Sequence, residues 1–334
     1  MHMKDWMALT ILLFLFGSLN SCAGQPAFGL DYLKLEKSIE LPGVKGRIDH
    51  LDVNLKTGII YIAALGNNTI EVADIKSGKI IHSINGLDEP QGVCYIPQTN
   101  EIFVANGGNG DCYFYNADSF EKTGVVHLSS DADDVRYDSV SQKLYTGYGS
   151  GGIAVINAIS RQQTGDIQLP GHPEGFQLDK RANRIVVNLS GKNMVGVIDL
   201  AKLQLVNKWE NKASANFPLA VDTINHYSFI GYRHPSKLIV LNNTGEEKGR
   251  YDIVADTDDL FFDQLSKRIY VSGGGGFVNI FQQNNDDSFK QVANIPTSSG
   301  ARTSLLIPSL NLLAIAERAE AGKQGHLNVY RILK

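Results

Sequence analysis

At 334 residues, 43% of them hydrophobic and 20% charged, the chain carries enough apolar material for a large core and is not a disordered polymer. Its formal net charge of -4 leaves no basic footprint, which argues against generic binding to nucleic acid or to an anionic membrane surface. Three cysteines are present, and no Cys/His spacing suited to zinc occurs.

The first predicted element is a targeting segment. Lys4 precedes an apolar stretch from Trp6 to Leu19, which has the length of a signal-peptide core and is too short to span a bilayer as a helix. The following Leu19-Asn20-Ser21-Cys22 resembles the lipobox of bacterial lipoproteins, in which a small residue precedes the cysteine that is acylated and becomes the mature N-terminus. That resemblance implies a signal peptide over residues 1–21, a linker over 22–30, and lipidation at Cys22. The protein is then exported and anchored in the outer membrane facing the periplasm, or free in the periplasm if Cys22 is not acylated.

From Arg47 onward one pattern recurs with a period of roughly 41 to 45 residues. Each unit has an anchor closing a short apolar strand: Asn54, Pro97, Asp138, Asp179, Asp222, Asp263 and Pro308. In the first unit, strand a is predicted over Ile48–Val53, b over Ile59–Ala64, c over Thr69–Ile75 and d over Lys79–Ile84. The tight reversals between them are Lys56-Thr57-Gly58, Gly66-Asn67-Asn68 and Lys76-Ser77-Gly78. Strand c returns at Gly152–Asn157, Met194–Asp199, Lys237–Asn242, Phe277–Gln282 and His326–Arg331. The seventh unit ends after its strand c, and Leu35–Leu41, which reads like a strand d, can complete it. The expected fold is therefore all-β, a single seven-bladed β-propeller over residues 31–334, its last blade closed by the N-terminal strand at about residues 35–41.

Glu89-Pro90-Gln91-Gly92-Val93, Ile102-Phe103-Val104-Ala105-Asn106 and Val195-Gly196-Val197-Ile198-Asp199 carry a more specific likeness. They resemble the repeat of the YVTN, or YncE-like, family of seven-bladed propellers over residues 31–334. The resemblance implies the fold and says little of function, because the family is mostly described as binding proteins of diverse role. Some of its relatives bind single-stranded DNA, which the acidic rim described next argues against. Cys94 and Cys112 fall on the first and third strands of one blade, so they are expected as buried small apolar residues and not as a disulfide.

In a propeller the d-to-a connections and the b-to-c loops open on one face, around the mouth of the central channel. The position five before each anchor reads Asp49, Gly92, Asp133, Glu174, Phe217, Asp258 and Thr303, with Asp134 and Asp259 one residue on. The position three before it stays apolar, so the core is repetitive while the rim is individual. Crowded carboxylates need cations or a metal. Candidate partners are Arg47, His50, Arg136, His172 and Arg302 from the d-to-a segments, and Arg233, His234 and Arg318 from the b-to-c loops; Gln91 and Asn216 add neutral polar groups.

Three functional readings follow. In the first, the mouth binds a polar or anionic small molecule, sugar or peptide. In the second, the protein is a metal-assisted lactonase or lyase: His50, His172 or Glu174 would be catalytic, and Asp133, Glu174 and Asp258 would hold Ca²⁺ or Mg²⁺, the ions suited to hard oxygen ligands. In the third, the disc is a scaffold for another envelope protein, with Tyr148, Phe217 and Tyr232 as aromatic contacts. Gly273-Gly274-Gly275-Gly276 lacks the strand-to-helix context of a phosphate loop and reads as a turn giving clearance at the mouth.

Overall fold

Five of the seven anchors, all but Pro97 and Pro308, turn out to be local hydrogen-bonding devices. Asn54 Oδ1 accepts from the backbone N–H groups of Lys56 and Thr57, Asp222 Oδ1 from those of Ile224 and Asn225, and Asp263 from those of Leu265 and Ser266. The same turns end on a residue in the left-handed region: Gly58, Asn100, Gln142, Asn183, His226, Lys267 and Asn311. An Asx residue opening the turn and a left-handed residue closing it reverse the chain tightly between strands a and b. The c-to-d turns reuse the device, as at Asp74, Asn116, Asn157 and Asp199.

The computed structural model describes residues 26–210, 213–320 and 322–333, and it folds into seven four-stranded antiparallel sheets. Blades 1 to 6 occupy residues 51–84, 90–127, 135–168, 176–210, 214–252 and 257–296 in chain order. Blade 7 combines Thr303–Ile307, Leu312–Glu317 and Gly325–Ile332 with an outer strand, Leu33–Leu41, from the start of the chain. The predicted closing strand is thus present, two residues longer than expected. Strand a of blade 1 runs Leu51–Asn54, shorter than predicted. Residues 48–50 leave the ladder toward the channel, although Asp49 N–H still bonds Ala63 O and Ala63 N–H bonds His50 O. Cys22 lies outside the described residues.

Each pair of c and d strands in blades 1 to 6 carries a register shift, at Val72/Ala73, Phe114/Tyr115, Val155/Ile156, Val197/Ile198, Val240/Leu241 and Ile280/Phe281. A bulge there increases blade twist. The N-terminal strand has its own shift between Leu35 and Lys37, so it imitates a strand d in detail.

Strands b are buried through their centres, and Glu101–Asn106 and Arg184–Leu189 along their whole length, because neighbouring blades cover both faces. The outer strands are largely exposed, as in Lys79–Ile84. Seven apolar clusters result, one at each blade-to-blade interface; the one joining blade 7 to blade 1 contains Ile39, Leu41, Ile48, Ile60, Leu312 and Ala314. Cys94 and Cys112 are free thiols buried within blade 2.

Candidate functional site

The d-to-a segments and the b-to-c loops meet on one face, as Gly66 N–H to Arg47 O, Gly149 N–H to Ser130 O and Gly274 N–H to Asp256 O record. Inside this rim lies a cavity of about 280 Å³. A second cavity of about 950 Å³ opens toward the other end of the channel. His50, Arg136, Gln177, Asp259 and Phe261 line both and form the layer between them. The larger cavity is bordered mainly by apolar and turn residues of strands a, so the ionisable groups concentrate in the smaller one.

Of the residues expected at the mouth, Arg47, Asp49, His50, Gln91, Asp133, Arg136, His172, Glu174, Arg233, Asp258, Asp259 and Arg302 all line that cavity. Asp134 sits just beneath, buried, ion-paired to Arg136 and accepting the backbone N–H of Phe176 at 3.2 Å. Asn216 is not at the mouth. Its side chain is fully buried and donates to Asn188 Oδ1 at 3.1 Å and Met194 O at 3.0 Å. Neighbouring side chains on a strand point to opposite faces, so Phe217 takes the rim position and Asn216 the interior. Tyr232 is likewise fully buried, and Tyr148 donates to Asp166 at 2.9 Å. His234 and Arg318 line neither central cavity.

His50 is the centrepiece. It stands on blade 1 and bridges two acidic pairs on opposite sides of the channel: Nε2 is 3.7 Å from Asp133 and 3.9 Å from Asp134, and Nδ1 is 4.0 Å from Asp259. Burial works against its charge, but Asp134, Asp49, Asp259 and Asp133 together outweigh burial and raise its pKa to about 9. His172 likewise reaches about 9: burial opposes the charge, while Asp133, the Gly149 carbonyl and Asp131 favour it. The carboxylates around both imidazoles therefore favour their protonated form, which is suited to holding negative charge. Desolvation raises Asp259 to about 7 and Asp49 to about 6, and it also raises Glu174.

Across the mouth, Asp258 is gripped by Arg302 Nε at 2.8 Å and by Arg233, whose guanidinium stacks 3.8 Å from the Phe217 ring centroid. With both arginines on it, Asp258 stands apart from the potential metal ligands. The group whose donor atoms lie within 4.8 Å of one another is Asp133, His172 and Glu174.

Two acids escaped sequence reasoning. Asp131 faces His172 Nδ1 at 3.4 Å and accepts from Gln91 at 3.1 Å, and Asp256 lies 3.5 Å from Arg233 and 3.2 Å from Arg302. Both have left-handed backbones, with φ of 43° and 53°, a conformation Asp adopts more readily than most residues. The matching Asp-x-Asp-Asp runs of the third and sixth units were the available signal. A Cβ at Gly274 would lie 2.1 Å from Asp256 Oδ2, so a larger residue there would displace that carboxylate.

The buried charges carry a pH signature. Asp259 holds its proton to about pH 7 when folded against an ordinary value of 3.8, and His50 to about pH 9 against 6.5. The folded state therefore binds more protons than the unfolded one, and the stabilisation is lost as pH rises through 7 for Asp259 and through 9 for His50. In EDTA-treated protein Tm is expected to fall from pH 5 to pH 9, and Asp259→Asn to flatten the decline by removing one carboxyl and lowering the His50 pKa. An unchanged slope in the variant, followed by differential scanning fluorimetry, would refute this assignment.

Among solved structures, the chain is similar to a chain of the "Crystal Structure of Mitotic Checkpoint Complex", with a TM-score of 0.75, 16% identity and 99% of both chains covered. It is also similar to the RRP9 WD40 repeats, with a TM-score of 0.75, 10% identity, and 92% of this chain and 99% of that chain covered. No protein-family model matches the chain, and no curated protein matches it. At these identities the likeness establishes the architecture alone: the chain is a seven-bladed β-propeller.

Proposed function

We propose that this propeller is a YncE-like envelope lipoprotein, exported by residues 1–21 and anchored through Cys22, whose mouth binds a small polar or anionic molecule such as a sugar acid or short peptide. The observation that carries the reading is the convergence of Arg47, Arg233, Arg302, His50 and His172 on one cavity of about 280 Å³, at the small end of ligand sites. The cations are interleaved with carboxylates, so a ligand with both hydroxyl and anionic groups finds acceptors and donors together. Binding is favoured over catalysis because both histidines are already engaged by carboxylates, His50 by Asp133, Asp134 and Asp259 and His172 by Asp131 and Asp133. The sequence Leu19-Asn20-Ser21-Cys22 supports the anchoring.

Arg47 is the arginine best placed to engage a ligand: its side chain is 46% exposed and it makes one ion pair, to Asp49 at 2.7 Å. In a thermal-shift panel of hexoses, hexuronates, dicarboxylates and short peptides, at least one compound is expected to raise Tm through binding to the folded state. Arg47→Ala should weaken that compound about tenfold or more, the scale of a lost charged hydrogen bond. No shift at millimolar concentration across the panel, or equal affinity in Arg47→Ala and Arg302→Ala, would overturn the proposal.

A further inference from the structure

The mouth is not uniformly neutralised. Asp49 has Arg47, Asp134 has Arg136, and Asp258 has both Arg233 and Arg302. Asp133 and Glu174 differ: among the described residues neither has an Arg or Lys ion-pair partner, and the cationic groups nearest to Asp133 are the imidazoles of His50 at 3.7 Å and His172 at 3.6 Å. The segments leading into blades 3 and 4 therefore carry neighbouring carboxylates without guanidinium or ammonium partners; Asp259 also lacks them but stands on blade 6, facing His50 and accepting the Ser304 N–H.

The histidine beside them is oriented from behind. His172 Nδ1 lies 2.6 Å from the Gly149 carbonyl oxygen, which can only accept, so the Nδ1 proton is fixed there. This leaves Nε2 facing Asp133 at 3.6 Å, and a metal ion binding there displaces the proton that the surrounding carboxylates otherwise favour on it. Asp131 also approaches Nδ1, at 3.4 Å, and reinforces that tautomer. A metal-binding histidine is typically held in this way, its distal N–H given to a backbone carbonyl or a carboxylate. Glu174 is steadied similarly: Ser190 Oγ donates to its Oε1 at 2.7 Å, leaving Oε2 open to the cavity.

We propose that Asp133, His172 and Glu174 form a three-residue site for a divalent transition ion, with Zn²⁺ the best match, whose open coordination position faces the mouth cavity. The donor set decides the ion. Three oxygen ligands would suit Ca²⁺ or Mg²⁺, as expected when Asp258 was counted; replacing Asp258 by an imidazole nitrogen shifts the preference toward Zn²⁺ or Mn²⁺. One nitrogen and two carboxylates also leave room for water or for an oxygen of a bound ligand. The site does not require the polar ligand discussed above, and it can be tested with the metal alone.

The experiment is isothermal titration of the chelator-treated protein with ZnCl₂, MnCl₂ and CaCl₂, with the variants checked for folding by circular dichroism. One equivalent of Zn²⁺ is expected to bind, with Ca²⁺ at least a hundredfold weaker and a Zn²⁺-dependent rise in Tm. Asp133→Asn, His172→Gln and Glu174→Gln should each weaken Zn²⁺ at least tenfold. His127→Ala should leave binding unchanged, although His127 and Asp111 form an exposed pair at 2.6 Å that could capture zinc by accident. Loss of binding in His127→Ala alone, persistence in all three site variants, absence of stoichiometric binding, or Ca²⁺ binding as tight as Zn²⁺ and abolished by Asp258→Asn would each overturn the proposal. Failure here would leave the Arg47 test of the mouth untouched.

Discussion

Arg184→Ala is expected to destabilise the protein by about 3–5 kcal/mol, the cost of removing one partner from a buried ion pair. Arg184 opens strand b of blade 4, and it and Asp179 are both buried. Its Nε donates to Asp179 Oδ2 at 3.1 Å, Nη2 to His226 O at 3.0 Å and Nη1 to Asn243 O at 3.3 Å. The last two carbonyls belong to blade 5, so one guanidinium ties two blades together at the face away from the mouth. Alanine leaves a buried carboxylate with only His226, at 2.9 Å, and the Ala182 N–H, at 3.3 Å, and removes the donor of two carbonyls. Arg184→Lys keeps the charge but cannot reproduce the planar fork, and should fall between the two. Urea unfolding followed by tryptophan fluorescence measures this as a lower midpoint at unchanged slope. A loss below about 1 kcal/mol would show that the pair is dispensable.

Deleting residues 26–41 should have a comparable or larger effect. The strand Leu33–Leu41 buries Leu33, Ile39 and Leu41, which at about 1.5–3 kcal/mol per buried side chain amounts to about 5–9 kcal/mol. That approaches the whole net stability of a typical domain, about 5–15 kcal/mol. The deletion also uncovers the edge of Gly325–Ile332, which in the intact ring pairs on both sides. An unpaired strand edge recruits other chains. The truncated protein is therefore expected to lose its cooperative melt and to self-associate in size-exclusion chromatography. A monomer that melts within a few degrees of the intact protein would mean that the ring does not depend on this closure.

The strands were legible in the sequence because a propeller repeats its constraints. An Asx or Pro residue opening each a-to-b turn, a left-handed residue closing it and an apolar strand b recur about every 42 residues, and any one unit explains the others. The same register located the mouth, since a position that varies in chemistry while its neighbours stay apolar is free of core packing. The prediction failed where side-chain direction mattered. Asn216 belongs to the same segment as Phe217, yet strand alternation turns it inward to Asn188. Asp258 reads like Asp133 in its unit, yet only Asp258 meets two arginines, one from its own blade's neighbour on each side.

What the sequence determined by itself is therefore the all-β architecture, the number of blades, the closure by the N-terminal strand and the face that carries the charge. These depend on local hydrogen bonding and on hydrophobic periodicity, which are written along the chain. The tertiary structure alone decided which charges meet. His50 is separated from Asp133 by 83 positions and from Asp259 by 209, and only closure of the ring brings it to 3.7 Å from one and 4.0 Å from the other. Coulombic coupling, desolvation and metal-ligand geometry depend on distances of a few ångströms across the channel, and no pattern along a single strand encodes them.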